Sequence, residues 1–358
     1  MRSQGASFPA VPIITLNPST DPRWAEFVHV HKRASLFHAP AWSSALQRTY
    51  GYGPVAFATQ APDGRLCAGV PFCEVRSPLT GKRLVSLPFS DHCDPLVESR
   101  EELRALLDHA LAYAREHGLS RIQIRPLDVF DTTLPEGFGP EEEFAFHVLD
   151  LQPEIGEIES RFHKTAVRQP IGRAGREGLV YQTGNSAELL DDFFRLLVMT
   201  RRKHGLPPQP KRWFRALLDA LAENTTIRTA SKDGTVIAAI LTARWGDTYY
   251  YKYGASDAEH TSLGGTALLL WKTIEEAKAI GASRLDMGRT DLSNAGLAVF
   301  KERWGAERRS LRYFRWPAPG SAPDHGEGWK MRSAKRVFAA LPDWALIRAG
   351  SLLYRHMG

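Results

Sequence analysis

Apolar and polar positions along the chain switch between a helical and a strand period, and the same succession occurs twice. Val11–Leu16 predicts an edge strand. Pro40 to Tyr50 predicts a helix, with Pro40 suited to its first position and Gly51 to its stop. Residues 54–60 and 65–76 alternate as strands about an Asp63-Gly64 turn, and Arg83–Leu87 gives a third. Ser99 to His117 predicts the clearest helix. Ser99 and Glu102 make a capping box, Leu103, Leu106, Leu107, Ala110, Leu111 and Ala114 share a face, and Gly118 ends it. Arg121–Arg125 and Phe144–Leu149 read as strands either side of a loop over 126–142.

Near residue 150 the rhythm restarts. Glu154–Phe162 and His163–Gly178 read as helical, with Pro170 interrupting the second. Ser186–His204 is a helix, and a stiff proline-rich link, 205–210, leads into another from Lys211 to Ala222. Three strands follow as a meander, Thr226–Ser231, Val236–Ala243 and Thr248–Gly254. A helix over 265–280, a strand at Arg284–Met287, a short helix carrying Leu297, Phe300 and Trp304, and a strand at Leu311–Trp316 complete the second run. The order predicts an α/β (mixed α+β) fold of mixed, largely antiparallel sheets flanked by helices. The domains are placed at 1–150 and 151–316, with a Pro/Gly/Ser-rich linker at 317–330 and a helical tail at 331–358. The tail is predicted to return to the first domain. Val337, Phe338, Leu341 and Trp344 would bury its apolar face, and Pro342 would divide it into two helices.

Composition adds limits. At 358 residues, 43% hydrophobic and 24% charged, the chain is long enough for two globular cores. A net charge of +6 favours anionic partners, namely phosphates, nucleic acid or a lipid surface. Cys67, Cys73 and Cys93 show no C-x-x-C spacing and read as reduced thiols of a cytoplasmic protein. No leader pattern is seen, and no apolar run approaches the ~20 residues that span a bilayer. Trp344 beside Arg348 and Arg355 also suits an interfacial helix, so peripheral contact with the inner membrane surface stays open.

Three stretches carry candidate chemistry. Pro88-Phe89-Ser90-Asp91-His92-Cys93-Asp94-Pro95 crowds polar groups between prolines. Adjacent ligands seldom face one ion, so no metal is expected there. Either an acid/base or substrate-contact loop or a plain Asp-bonded turn fits. Lys301 lies beside the Leu297, Phe300 and Trp304 stripe. A lysine against an apolar wall can meet developing negative charge; a solvated lysine beside a core stripe fits the same pattern. Arg161, Lys164, Arg168, Arg173 and Arg176 form either a phosphate grip or a solvated face.

The second half resembles the acyltransferase domain of Fem-like proteins, within the GNAT superfamily. The resemblance rests on Thr248-Tyr249-Tyr250-Tyr251-Lys252-Tyr253-Gly254-Ala255-Ser256, Asp286-Met287-Gly288-Arg289 and Phe300-Lys301-x-x-Trp304-Gly305. The first half fits through Phe37-His38-Ala39-Pro40-Ala41-Trp42 and Pro88-Phe89-Ser90-Asp91. It implies two tandem GNAT-like domains with a groove between or along them. It also implies transfer of an acyl or aminoacyl group to an amine of a cell-envelope precursor, sugar or peptide. No permanently bound cofactor is implied; the donor is acyl-CoA or aminoacyl-tRNA, the acceptor an amine, and DNA is not a partner. Lys301 takes the reaction centre and Asp91 or Asp94 the base. Phe300, Trp304, Tyr251, Tyr253, Arg289, Trp42, Arg168, Arg173, Gln209 and Lys211 are substrate-contact candidates. Gly264 and Gly265, before a helix, stand where typical GNAT enzymes bind CoA, although their spacing differs from that signature. Leu46 replaces a lysine that bridge-forming members carry for the precursor's phosphates. Two other readings stay open, an acyl-CoA-dependent N-acyltransferase of exopolysaccharide or envelope glycan and a catalytically silent module for an anionic surface.

Overall fold

A computed structural model describes residues 12–127, 134–319 and 336–358. The first half runs β1 (Ile13–Leu16), α1 (Pro22–Val30), α2 (Pro40–Tyr50), β2 (Gly53–Gln60), β3 (Leu66–Ser77), β4 (Gly81–Val85), α3 (Arg100–Glu116), β5 (Arg121–Ile124) and β6 (Gly139–Asp150). Helix α4 (Ile155–Ser160), a π-turn at Lys164–Arg168 and α5 (Gln169–Arg176) lead onward. The second half then repeats the order as β7 (Val180–Gly184), α6 (Ala187–Lys203), α7 (Lys211–Leu221), β8 (Thr225–Lys232), β9 (Thr235–Trp245), β10 (Thr248–Ser256), α8 (Gly265–Ala279), β11 (Arg284–Asp291), α9 (Ala295–Glu302) and β12 (Glu307–Trp316). Helix α10 (Asp343–Leu353) lies in the tail.

The strands form one sheet of mixed direction, ordered β1-β2-β3-β4-β5-β12-β6-β11-β10-β9-β8-β7. Its two ends read as one motif run in opposite directions. In each half a long helix, α3 or α8, crosses between two strands that pair in parallel, as a crossover connection requires. The last strands are exchanged: β6 pairs with β11, β12 with β5, and the two with each other.

Helix α3 covers Phe57, Phe72, Leu84 and Ile122. Helix α8 covers Ile240, Leu285 and Met287. A third core belongs to both halves. Trp42 of α2 meets Trp213 of α7 edge to face, centroids 5.4 Å apart, among Phe193, Phe214 and Tyr250.

Four elements differ from expectation. Helix α1 was not anticipated, although Asp21 caps it by accepting from the Arg23 N–H at 3.0 Å and Pro22 starts it. Strand β7 is an exposed edge whose residues show no alternation. Strands β6 and β12 start earlier than the sequence pattern predicts, because the added residues are mostly charged. Glu141 and Glu143 of β6 face Arg315 and Arg312 of β12, at 3.7 and 3.9 Å.

The linker at 317–330 falls almost wholly outside the described residues, as does the start of the tail. Farther on, Phe338 and Leu341 pack partly buried against the shared core and helix lies on both sides of Pro342, as expected, but Trp344 is 71% exposed and Val337 is exposed too. Helix α10 begins after Pro342 and turns Leu346 and Gly350 inward instead, a face about 200° from Trp344 at 100° per residue. Gly350 lies so close to Pro207 and Pro208 that no side chain fits. Tyr52 donates to the Tyr354 carbonyl at 3.0 Å, and Arg83 Nε donates to the Gly358 carbonyl at 2.8 Å.

Candidate active site

Two irregularities meet at the centre of the sheet. The loop after β4, which carries Asp91 and His92, fills the space where β4 and β5 part. Opposite it, β11 bulges between Asp286 and Arg289. Gly288 in that bulge has φ +72°, a conformation that favours glycine, and a Cβ there would crowd Asp91 Oδ2 at 3.2 Å.

Asp91 accepts a hydrogen bond from Lys252 Nζ, and its backbone carbonyl accepts from Tyr313 Oη at 2.6 Å. The Lys252 ammonium lies 4.6 Å from the Phe37 ring centroid and 5.5 Å from that of Trp42. Burial alone would raise the Asp91 carboxyl. The charge and hydrogen bond of Lys252, with Arg289 and Lys301 beyond, outweigh it and hold the group at about 2. Arg289 stacks over Phe144 at 4.2 Å and Tyr313 at 5.1 Å.

Lys301 reaches this centre from α9. Asn294 caps the helix by accepting the Leu297 N–H at 3.2 Å. Lys301 is 2% exposed, so it is not a solvated lysine. Its Nζ donates to the carbonyls of Gly288 at 2.8 Å and Arg289 at 3.1 Å. Burial pulls it down to about 8, against the upward pull of Asp91 and Asp286.

Next to the bulge opens a groove of about 960 Å³, lined in part by Arg33, His92, Asp94, Phe146, Tyr250 and Asp286. His92 Nε2 lies 2.9 Å from Asp286 Oδ2, and Asp286 Oδ1 accepts the Gly288 N–H at 2.6 Å. Lys301 does not line the groove; Asp286, which does, is linked to that lysine by hydrogen bonds through Gly288.

Of the residues picked from the sequence, the centre gathers Lys301, Asp91, Arg289 and Trp42, the last as a buried wall whose Nε1 donates to the Pro88 carbonyl at 3.3 Å. Asp94 lines the groove, but its Oδ1 is taken by the Leu127 N–H at 2.6 Å. Trp304 packs on Phe162 in the α8 core, centroids 5.0 Å apart, and Phe300 packs against the same core. Tyr251 belongs to that core and Tyr253 to the shared one, where its hydroxyl accepts from Trp213 Nε1 at 3.0 Å. None of these four lines the groove, and a bulge between Tyr251 and Tyr253 sends the two tyrosines to different cores. Gln209 is buried beside Tyr50, and Lys211 pairs with Asp191. Arg161 of the basic cluster lines the groove, whereas Arg168 and Arg173 do not.

Gly264 and Gly265 are also away from the groove. Helix α5 lies on the start of α8, where the Pro170 carbonyl oxygen is 2.2 Å from the position a Gly264 Cβ would take. Arg173 Nη1 donates to the Ser262 carbonyl at 3.0 Å, fastening the two segments. A pyrophosphate needs open backbone N–H groups at a helix start; here α5 packs against Gly264 at that start. Lys252, His92 and Asp286 were not picked as site residues. Lys252 carried one signal, a lone charge within a tyrosine run.

Among the described residues no His, Cys, Asp and Glu group is placed to hold a metal ion. No helix among them is long and apolar enough to cross a membrane.

A GNAT fold, duplicated and joined through exchanged strands, is thus defined together with a buried lysine at its crossing. Residues 161–317 match the family model described as an acetyltransferase (GNAT) domain. The chain is 26% identical over 95 residues to the UDP-N-acetylmuramoylpentapeptide-lysine N(6)-alanyltransferase of Weissella viridescens. That match spans 26% of this chain and 28% of the relative's length. The fold is similar to the crystal structure of FemX, with TM-score 0.69 and 17% identity over 84% of this chain and 96% of that one. L-PGS from Bacillus licheniformis aligns with TM-score 0.54 and 14% identity over 91% of this chain and 99% of that one. The second half thus matches a GNAT domain, and the chain as a whole is similar in fold to FemX.

Proposed function

We propose that the chain transfers an aminoacyl group from aminoacyl-tRNA to a primary amine of a peptidoglycan precursor. The observation that carries this reading is Lys301, an ammonium held in a water-poor centre by two carbonyls. An ammonium has three donors. Two are used on Gly288 and Arg289, which leaves one for the oxyanion that forms when an amine adds to the donor's ester carbonyl. As that intermediate collapses, the new C–N bond remains, the ester C–O bond breaks and the ribose hydroxyl departs. Asp91 positions Lys252, and the two charges fix the loop that borders the centre.

The covered start of α8 favours tRNA over CoA, since a CoA pyrophosphate would have to displace α5. The alanyltransferase activity of the Weissella viridescens relative supports a peptidoglycan acceptor. A tRNA donor places the reaction in the cytoplasm. The donor is tested by thermal unfolding with charged tRNA and with acetyl-CoA, because a ligand that binds only the folded state raises the melting temperature. Protection by charged tRNA and none by acetyl-CoA is expected; protection by acetyl-CoA alone would overturn the reading.

A further inference from the structure

We infer that His92, held by Asp286, is the proton acceptor of the transfer, and that the groove it lines receives the primary amine. The inference rests on the transferase reading above and adds the group which that reading lacks. An amine that attacks a carbonyl must give up a proton to a group within reach. Asp91 is engaged by the ammonium of Lys252. Asp94 is engaged by the Leu127 N–H and lies 3.7 Å from Arg33. Asp286 receives the Gly288 N–H and faces His92.

His92 is arranged differently. It is 4% exposed and lines the groove. Phe37 and Phe146 meet its ring edge to face at 5.1 and 5.3 Å, which fixes the plane of the imidazole. Its Nε2 stands 2.9 Å from an Asp286 oxygen. An ionised carboxylate can only accept, so Nε2–H donates to it, and the neutral ring keeps its lone pair on Nδ1. Nδ1 has no hydrogen-bond partner among the described residues. Buried polar atoms are ordinarily paired, so the buried Nδ1 lacks the partner such an atom usually has. A carboxylate behind an imidazole with a free basic nitrogen is the arrangement that orients a general base.

The step balances without a further reactant. As the amine nitrogen bonds to the carbonyl carbon, its proton passes to His92 Nδ1, and Asp286 stabilises the imidazolium. As the C–O bond breaks, the imidazolium returns that proton to the departing ribose oxygen. Asp286 is a positioning residue, since it acts through His92.

The test is enzyme-dependent single-turnover transfer from charged tRNA, by the wild type and His92→Gln, to a primary amine and to hydroxylamine. Hydroxylamine attacks without needing a strong base. His92→Gln is expected to lose roughly 10²–10⁴-fold with the amine, to lose far less with hydroxylamine, and to keep the wild-type melting temperature. If His92→Gln does not fold, folded Asp286→Asn replaces it, with kcat lowered and KM kept. A rate within threefold of wild type with the amine, or an equal loss with both acceptors, overturns the assignment of His92 alone. A wild type inert toward both acceptors overturns the transferase reading and this inference together.

Discussion

Lys252 and Asp91 show how far one residue's role depends on its partner. The Lys252 side chain is 5% exposed and has Asp91 as its counter-ion. Removing one member of a buried pair strands the other charge, which costs about 3–5 kcal/mol. Asp91→Asn is therefore expected to be strongly destabilised in urea denaturation, and adding Lys252→Met should restore most of the loss. Wild-type stability for Asp91→Asn would show that the pair is not buried as described. Lys301 and Asp91 were both legible before the fold was known, Lys301 from its place beside an apolar stripe and Asp91 from its crowded loop. Their relation was not legible, because the partners come from β10 and β11, far away in sequence. Lys252 and Asp286 sit in strands whose neighbours read as ordinary sheet, and only the two bulges turn them to the centre. Trp304 and Phe300 pack in the α8 core, as the stripe beside Lys301.

At the scale of elements, the fit of α5 on α8 separates this chain from a GNAT domain with an open donor cradle. Gly264 has φ +82° and no space for a Cβ beside Pro170. Gly264→Ala combines backbone strain of order 1–3 kcal/mol with that clash, so a lower melting temperature and loosened α5 are expected. Hydrogen exchange across Gln169–Arg176 would report the loosening; unchanged exchange and stability would mean that the contact is slack. Helices with capping boxes and strong stripes, α3 above all, were readable from sequence. So was the hairpin of β2 and β3 about Asp63-Gly64. Helix α1, edge strand β7 and the charged ends of β6 and β12 were not, because their pairing is satisfied by partners that local periodicity does not name. The inward face of α10 was missed for a related reason. Trp344 is the largest apolar residue of that stretch, but the register set after Pro342 points it outward.

For the whole molecule, the exchanged strands decide how the two halves behave. The succession of elements was visible in the sequence as two runs, whereas the exchange of β6 and β12 depends on pairings over more than a hundred residues. Each half completes its sheet with a strand of the other, and α2 and α7 share one core. The chain should therefore unfold in a single calorimetric transition, with agreement between calorimetric and van't Hoff enthalpies; two resolved transitions would mean that the halves are independent. The same crossing brings the Asp91 loop of the first half to Lys301 of the second, so the proposed transfer site needs the joined molecule. The most direct test of that site is the rate of labelled aminoacyl transfer from charged tRNA to an amine acceptor, for the wild type and Lys301→Ala across pH. Loss of the Lys301 side chain is expected to lower the rate roughly 10²–10³-fold with the fold retained. The wild-type rate should fall as pH rises through about 8, where the buried ammonium loses its proton. Transfer by Lys301→Ala at the wild-type rate would contradict the account.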